Sequence, residues 1–399
     1  MTFRPGLNHL YIPGPTNVPD TVRMAMNVPQ QDQRGPEFGA FVLSILADLK
    51  PLFGTAKGRV MMFPGSGTSA WEAAIVNTLS PGDRVLMARH GQFSTLWVKM
   101  AMDLGLDVEV IDLPWGAGTP VTEFARRLGA DREGRIKAVF VTHNETATGV
   151  TSSVAGVRQA LDACFHEAML FVDGVSSIGS MPFLMDDWGV DLAVTGSQKG
   201  LMSPAGLGIL GVSERAMAAA RANGMRCSFL KFEDYQAQTE TGYFPHTPPT
   251  PVLHGLREAL NRINREGLDA VFERHARLAA GVRAGVAAWG LETCAEHPSL
   301  ASNTVTAIRT PAGVDAREVI RIGLTRYNTS FGSGLAQLAG KVFRIGHLGD
   351  LNEGMCMTAL AVAELSLRAA GARVELGAGV AAAQEIYEQG APMVALAAE

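Results

Sequence analysis

Lys199 is the residue whose sequence surroundings most favour chemistry. It follows a strand-like apolar run, LAVTG (192–196), after only two residues, and a glycine comes next in SQKGL. A lysine is rarely buried without a partner or a function. In an apolar pocket its pKa falls, and the neutral amine can then form a Schiff base with a carbonyl compound. Taken alone, a solvated loop lysine is the alternative interpretation.

Asp173 is the second candidate and ends another apolar run, AMLFVD (168–173), 26 residues before Lys199. A carboxylate at the end of a buried strand is costly unless it is paired. It could pair with a buried cation on a ligand. A helix cap or a turn residue is the structural alternative.

The stretch GSGT (65–68) is the third candidate, because a glycine-rich turn leading into a helix presents free backbone N–H groups to an anion. The string GSGTSA also matches the dinucleotide motif G-x-G-x-x-A. That motif requires an acid at the end of the next strand. The nearest acid, Asp83, precedes that strand, which ends in Arg89 and His90. NAD is therefore disfavoured, while a phosphate cup and a purely structural turn both stay open.

The elements that must position these residues are short apolar strands alternating with helical stretches. This alternation is typical of a mainly parallel sheet covered on both faces, whose ligands lie at the carboxyl ends of the strands. After TPPTP (247–251) the pattern changes to two long helices (252–289), followed by strands near 303–309 and 341–346 with helices between and after them. The predicted strands of the first region are 60–63, 84–88, 108–112, 136–142, 168–173, 191–196 and 206–212.

The length of 399 residues predicts more than one core. We expect an N-terminal arm (1–20), a large domain (21–265) and a small C-terminal domain (266–399). A net charge of −5 without blocks of like charge argues against nucleic-acid and membrane partners. With no signal-like start and no CxxC, the four cysteines are interpreted as reduced thiols of a cytoplasmic protein. The sequence contains no HExxH motif, and its histidines show no spacing typical of metal ligands.

A phosphate cup, an aspartate for a ring nitrogen and a Schiff-base lysine are the groups that pyridoxal 5′-phosphate (PLP) requires. The segments GSGT, HNETATGV, FVDGVSSIG and TGSQKG occur here in that order. Together with PGPTNVP near the start and GKVFRIGHLGDL near the end, they resemble the class V aminotransferases of PLP fold type I. The resemblance covers almost the whole chain and is nearest to the serine–glyoxylate enzymes, beside the alanine–glyoxylate enzymes.

The resemblance implies an α/β fold with a mainly parallel seven-stranded sheet in the large domain and a smaller C-terminal α+β domain. It implies an aminotransferase that moves the amino group of L-serine to glyoxylate through a PLP ping-pong cycle. Lys199 would form the Schiff base and carry the proton, and Asp173 would keep the pyridinium nitrogen protonated. The other cofactor-binding residues implied are Ser66, Gly67, Thr68, Phe93, Thr146, Val175, Gln198, Phe244 and Thr247.

Two further segments acquire roles from the resemblance. YFPHTPP (243–249) would reach the neighbouring subunit's site, which implies a homodimer with shared sites or a larger assembly; an interdomain linker is the alternative. Arg344 would bind the substrate carboxylate through its planar guanidinium, with a structural salt bridge as the alternative. In QDQRGPEFG, relatives often carry His before Arg34, and Gln33 stands there instead.

Four other functions are alternatives. Alanine and aspartate are alternative amino donors to glyoxylate. A cysteine desulfurase-like lyase is disfavoured, because the loop before Arg344, TSFGSGLAQLAG, contains no cysteine. A non-catalytic nucleotide-binding protein would use GSGT but would leave Lys199 and Asp173 unexplained.

Overall fold

The computed structural model describes residues 6–223 and 227–389 and contains two principal sheets. Its strands are β1 (His9–Tyr11), β2 (Arg59–Gly65), β3 (Arg84–Arg89), β4 (Asp107–Asp112), β5 (Ile136–Thr142), β6 (Asn144–Glu145), β7 (Val150–Thr151), β8 (Met169–Asp173), β9 (Leu192–Gly196), β10 (Gly206–Val212), β11 (Val305–Arg309), β12 (Thr329–Ser333) and β13 (Val342–Gly346). Its helices are α1 (Asp20–Ala25), α2 (Pro36–Phe53), α3 (Gly67–Thr78), α4 (Gln92–Asp103), α5 (Val121–Ala130), α6 (Val154–Ala163), α7 (Glu214–Ala222), α8 (Phe232–Thr241), α9 (Thr250–Glu266), α10 (Leu268–Ala288), α11 (Ala316–Tyr327), α12 (Glu353–Ala369) and α13 (Ala378–Gln389).

The seven-stranded sheet has the order β2-β10-β9-β8-β5-β3-β4. The five strands β9, β8, β5, β3 and β4 are parallel to one another. β10 returns antiparallel between β9 and β2. The prediction of a mainly parallel seven-stranded sheet is confirmed. Its carboxyl edge gathers the ends of β5, β8 and β9.

Both faces of this sheet are covered, so its central strands are apolar at nearly every position. In β8 the side chains of Leu170 and Val172 enter one core, and Phe171 enters the core on the opposite face. All three are buried. Strands of this kind show no polar alternation in sequence, which is expected for a buried parallel sheet.

The four-stranded sheet has the order β1-β12-β13-β11 and packs against helices from the C-terminal third of the chain. The predicted strands near 303–309 and 341–346 are β11 and β13, which pair antiparallel. Within the expected N-terminal arm (1–20), residues 9–11 form β1, which pairs parallel to β12. β1 has three residues and lacks a pattern of its own, so sequence alone does not identify it.

The expected boundary at 265/266 falls next to Gly267, which separates α9 from α10. The division into domains stays a prediction. Among the described residues, no helix combines the length and apolar character that a bilayer span requires.

Candidate active site

A cavity of about 250 Å³ opens at the carboxyl edge of the seven-stranded sheet. It collects residues that are far apart in sequence, because parallel strands end at the same edge. Eight of the predicted site residues line it: Gly67, Thr68, Phe93, Thr146, Asp173, Val175, Gln198 and Lys199.

Lys199 lies in the turn after β9 and is only 9% exposed. Its Nζ donates a hydrogen bond of 2.6 Å to the carbonyl of Pro13. The pKa of Lys199 is lowered to about 8, mainly by burial and in addition by the charge of nearby Arg344, whereas Asp173 opposes both effects. A substantial neutral fraction is therefore present near neutral pH, as a nucleophilic amine requires.

Asp173 ends β8 and is 3% exposed. Its Oδ1 accepts a hydrogen bond of 2.9 Å from the backbone N–H of Val175. Burial raises the pKa of Asp173 to about 7, and the charge of Glu145 adds to the rise, whereas the Val175 amide and the Trp71 side chain lower it. A cation placed beside this carboxylate would favour its ionised form.

The predicted phosphate cup lies at the start of α3. Gly67 and Thr68 are its first residues, so their N–H groups have no partner within the helix. Ser69 closes the turn: its hydroxyl donates to Ser66 O at 2.7 Å and accepts from Ser66 N at 3.0 Å. Beside them, the buried Oε1 of Gln198 has no hydrogen-bond partner among the described residues. Free N–H groups at a helix N-terminus suit an anionic ligand group, and the side-chain amide of Gln198 can supply a further N–H donor from its Nε2.

Phe93, Thr146 and Val175 surround the space between the cup and the lysine. The Phe93 ring centroid lies 6.0 Å from Lys199 Nζ. The backbone of Phe93 is fixed by the buried Glu145, whose carboxylate accepts its N–H at 3.0 Å. Thr146 Oγ1 donates to Ser176 Oγ at 2.7 Å. The space between them is thus bounded by the Phe93 ring, the Thr146 hydroxyl and the branched side chain of Val175, and it suits a flat ligand.

Arg344 lies within β13 and is 6% exposed. Its Nε donates to Ser333 O and its Nη1 to Thr146 O, both at 2.9 Å. Burial lowers its pKa to about 10, so it stays cationic at neutral pH. No carboxylate within residues 6–223 and 227–389 forms a salt bridge with it, so the structural salt-bridge alternative finds no support there.

Ser66, Phe244 and Thr247 do not line the cavity. Ser66 takes part in the turn at the start of α3 through its backbone N–H and carbonyl. Phe244 packs between the two cores of the large sheet. Thr247 is exposed, and its hydroxyl accepts a hydrogen bond of 3.5 Å from Gln33 Nε2. The loop of Gln33 and Arg34 therefore contacts the YFPHTPP segment. Participation of Thr247 in a neighbouring subunit's site stays a prediction.

Sequence reasoning missed several lining residues: Gly14, Pro15, Trp71, Ser176 and Ala205. Gly14 and Pro15 belong to PGPTNVP, a segment whose composition suggests only an extended arm. Trp71 lines the cavity together with Asp173 and lies in α3, one helical turn after the phosphate cup. That spacing was the available signal, because residues three to four apart share a helix face.

Comparison with known proteins gives this arrangement a family. The family model "Aminotransferase class-V" matches residues 23–336. The chain belongs to the class-V aminotransferase family. A serine–glyoxylate aminotransferase of Hyphomicrobium methylovorum is 54% identical over all of this chain and 98% of its own length. An L-aspartate–glyoxylate aminotransferase of Paracoccus denitrificans is 50% identical over 96% of each chain.

Solved structures agree with the family. The crystal structure of pyridoxamine–pyruvate aminotransferase from Mesorhizobium loti matches with a TM-score of 0.91 and 31% identity, over 96% of this chain and 97% of the other. This class-V aminotransferase is accordingly a PLP-dependent enzyme that acts on amino acids and 2-oxo acids. The helix N-terminus, the buried Asp173 and the buried Lys199 fit the phosphate, ring nitrogen and aldehyde of PLP.

Proposed function

We propose that this enzyme transfers the amino group of L-serine to glyoxylate, giving hydroxypyruvate and glycine. The observation that carries the proposal is the full-length similarity to a serine–glyoxylate aminotransferase at 54% identity. Bound PLP supplies an electron sink that lowers the barrier to removing the Cα proton of an amino acid. The chain's own residues then bind the substrate, hold the cofactor and move that proton.

Each of these tasks has a candidate residue. Arg344 binds the substrate carboxylate by paired N–H donors. Asp173 holds the ring nitrogen in its protonated form, which its own negative charge favours. Lys199 carries the cofactor and accepts the Cα proton as a free amine. Gly67, Thr68 and Gln198 hold the phosphate, and Phe93 and Val175 face the ring.

The charges around the cavity support a donor without a second carboxylate. Lys199 is the basic side chain among the described residues that line the cavity, and Arg344 is the neighbouring cation. Lys199 is assigned to the cofactor and Arg344 to the substrate α-carboxylate. The side-chain carboxylate of an aspartate donor would therefore lack a dedicated cationic partner, and burying an unpaired carboxylate is costly. The 50% identity to an aspartate–glyoxylate enzyme keeps aspartate as the second candidate.

A donor screen with glyoxylate as acceptor tests the proposal. We expect kcat/KM for L-serine to exceed that for L-alanine and L-aspartate. A higher value for aspartate would replace serine as the donor while leaving the reaction type intact. Absence of amino transfer to glyoxylate from any of the three would overturn the proposal.

We also propose a homodimer in which Thr247 and Phe244 complete the partner's site, in a cytoplasmic protein. The exposure of Thr247 supports the first part, and the four free cysteines support a reducing compartment. Mixing Lys199→Ala subunits with Thr247→Ala subunits tests the shared site. Hybrid dimers should regain one intact site and hence wild-type cofactor affinity at that site. No recovery in hybrids verified by mass would contradict sharing.

A further inference from the structure

The N-terminal arm connects the two ends of the candidate site. Through β1 it belongs to the four-stranded sheet that carries Arg344. A few residues later it crosses to the turn of the seven-stranded sheet that carries Lys199. The function proposed for the site does not involve this segment.

Three hydrogen bonds join the arm to the lysine turn. Thr16 N donates to Gln198 O at 3.2 Å, and Thr16 Oγ1 donates to Lys199 O at 3.1 Å. Lys199 Nζ donates to Pro13 O at 2.6 Å. The arm therefore holds both the main chain and the amine of Lys199.

On its other side the arm lies tightly against the strand of Arg344. A Cβ atom added to Gly346, the last residue of β13, would lie 2.5 Å from Ile12 O and 2.7 Å from Pro13 Cα. This approach requires glycine. The main chain at Ile12 and Pro13 thus sets a short, fixed link between β13 and the lysine amine.

Gly14 lies where the arm meets the lysine side chain. Its φ is +113°, a conformation that side-chain-bearing residues rarely adopt, and a Cβ atom there would lie 2.5 Å from both Nζ and Cδ of Lys199. A methyl group at position 14 would therefore displace the amine from the Pro13 carbonyl.

We propose that the Pro13 carbonyl is the resting position of the Lys199 amine whenever the substrate has displaced it from the cofactor, and that this contact orients the amine for proton transfer. The proposal rests on the function proposed above. A carbonyl only accepts hydrogen bonds, so a neutral amine held by one N–H keeps its lone pair free for the Cα proton. The amine takes that proton and then returns one to the C4′ carbon of the cofactor, so its proton count is restored.

Two alanine variants of arm glycines form a matched pair. Gly14→Ala places a methyl group against Lys199. Gly6→Ala imposes a similar backbone cost, since φ at Gly6 is +84°, but meets no atom within 4 Å. An effect found only in Gly14→Ala therefore comes from the surroundings of residue 14 and not from the backbone cost of replacing a glycine, and unchanged PLP affinity then points to the lysine contact.

The first measurement uses cofactor-free protein and no substrate. Reductive methylation with formaldehyde and cyanoborohydride is followed at Lys199 by peptide mass spectrometry. Losing one net hydrogen bond should raise the methylation rate of Lys199 about fivefold in Gly14→Ala. The rate in Gly6→Ala should equal that of the wild type. An unchanged rate in a folded Gly14→Ala protein would overturn the proposal.

The second measurement follows a single half-reaction of the PLP-loaded enzyme with whichever amino acid the wild type accepts. Gly14→Ala should slow it about tenfold or more, with a larger Cα-deuterium isotope effect and unchanged PLP affinity. A normal rate and isotope effect would contradict the proposal even if serine proves to be the wrong donor. Should Gly14→Ala not fold, Thr16→Val must slow the same step and Thr16→Ser must restore it.

Discussion

Lys199 and Asp173 lie at strand ends of the seven-stranded sheet, whereas Arg344 lies inside a strand of the four-stranded sheet. Burial moves the pKa of Lys199 down to about 8 and that of Asp173 up to about 7. Arg344 is equally buried, yet its pKa of about 10 leaves it charged at neutral pH. The strand-end groups can therefore gain or lose a proton near neutral pH, while Arg344 keeps a constant charge.

The difference follows from the local partners. Arg344 donates to two neutral carbonyls, which orient the guanidinium without neutralising it. Asp173 differs from Arg344 because its carboxylate accepts one backbone N–H, which only partly compensates the cost of burying a negative charge. The residues proposed for proton chemistry and for substrate binding thus lie on different sheets, and substitutions should separate the two roles.

The largest effect is expected for Lys199→Ala. Both the covalent attachment and the proton carrier are lost, so turnover should fall by at least about 10³-fold. Borohydride treatment should leave no cofactor attached. Lys137→Ala, an exposed lysine of β5, is the control and should retain activity. Wild-type turnover in the Lys199 variant would refute the mechanism.

Asp173→Asn should follow, with kcat reduced by about 10²–10³-fold in a folded protein. The change keeps the shape of the side chain but removes the charge that favours a protonated ring nitrogen. Asp112→Asn alters an exposed aspartate that also ends a strand of the same sheet, and it should be neutral. If both variants retained full kcat, the carboxylate of Asp173 would be structural.

Arg344→Ala should act on binding instead. Hydrogen bonds to charged groups contribute about 1.5–3 kcal/mol, so KM for amino acid and glyoxylate should rise about 10- to 100-fold. PLP affinity should change little. Arg309→Ala, at the end of neighbouring β11, serves as the control. An unchanged KM would remove Arg344 from the substrate site.

The smallest effect is a pH dependence of cofactor capture by cofactor-free protein. Imine formation needs the neutral amine of Lys199, whose pKa is lowered to about 8. The capture rate should rise about tenfold from pH 7 to 9 and then level off. Stopped-flow absorbance measures it. A rise that continues toward pH 10.5 would show that burial does not shift this lysine.

The lowered pKa of Lys199 also predicts the direction in which the free energy of unfolding changes with pH. Between about pH 8 and 10.5 the folded protein binds fewer protons at Lys199 than the unfolded chain does. Its free energy of unfolding should therefore gain from this group as pH rises through that window. Comparing wild type with Lys199→Ala in urea at pH 8 and 10 isolates the contribution.

Sequence alone predicted the strand-end half of the site, because strand, turn and polar residue are adjacent in the chain at Asp173 and Lys199. The strands at 206–212, 303–309 and 341–346 were also predicted near their observed bounds, whereas β12 was not predicted. These elements have apolar runs bounded by turns, which is a local signal.

Other features depend on contacts that no local pattern encodes. Glu145 lies within HNETATGV, but its role in fixing the backbone of Phe93 arises only when β6 meets the start of α4. In α4, Leu96 is 40% exposed whereas Val98 is buried, although both side chains are apolar. The direction from which α4 packs decides this, and tertiary contacts set that direction.

The pairing of β1 with β12 has a consequence for biosynthesis. Asn328 donates from its side chain to Leu7 O across 321 residues, so this corner of the molecule joins the beginning of the chain to its last quarter. A ribosome-bound chain can complete the seven-stranded sheet after β10 emerges, but β1 has no strand to pair with until residue 331 has been made. A truncated product could carry the lysine but would lack the strand that brings the arm to it.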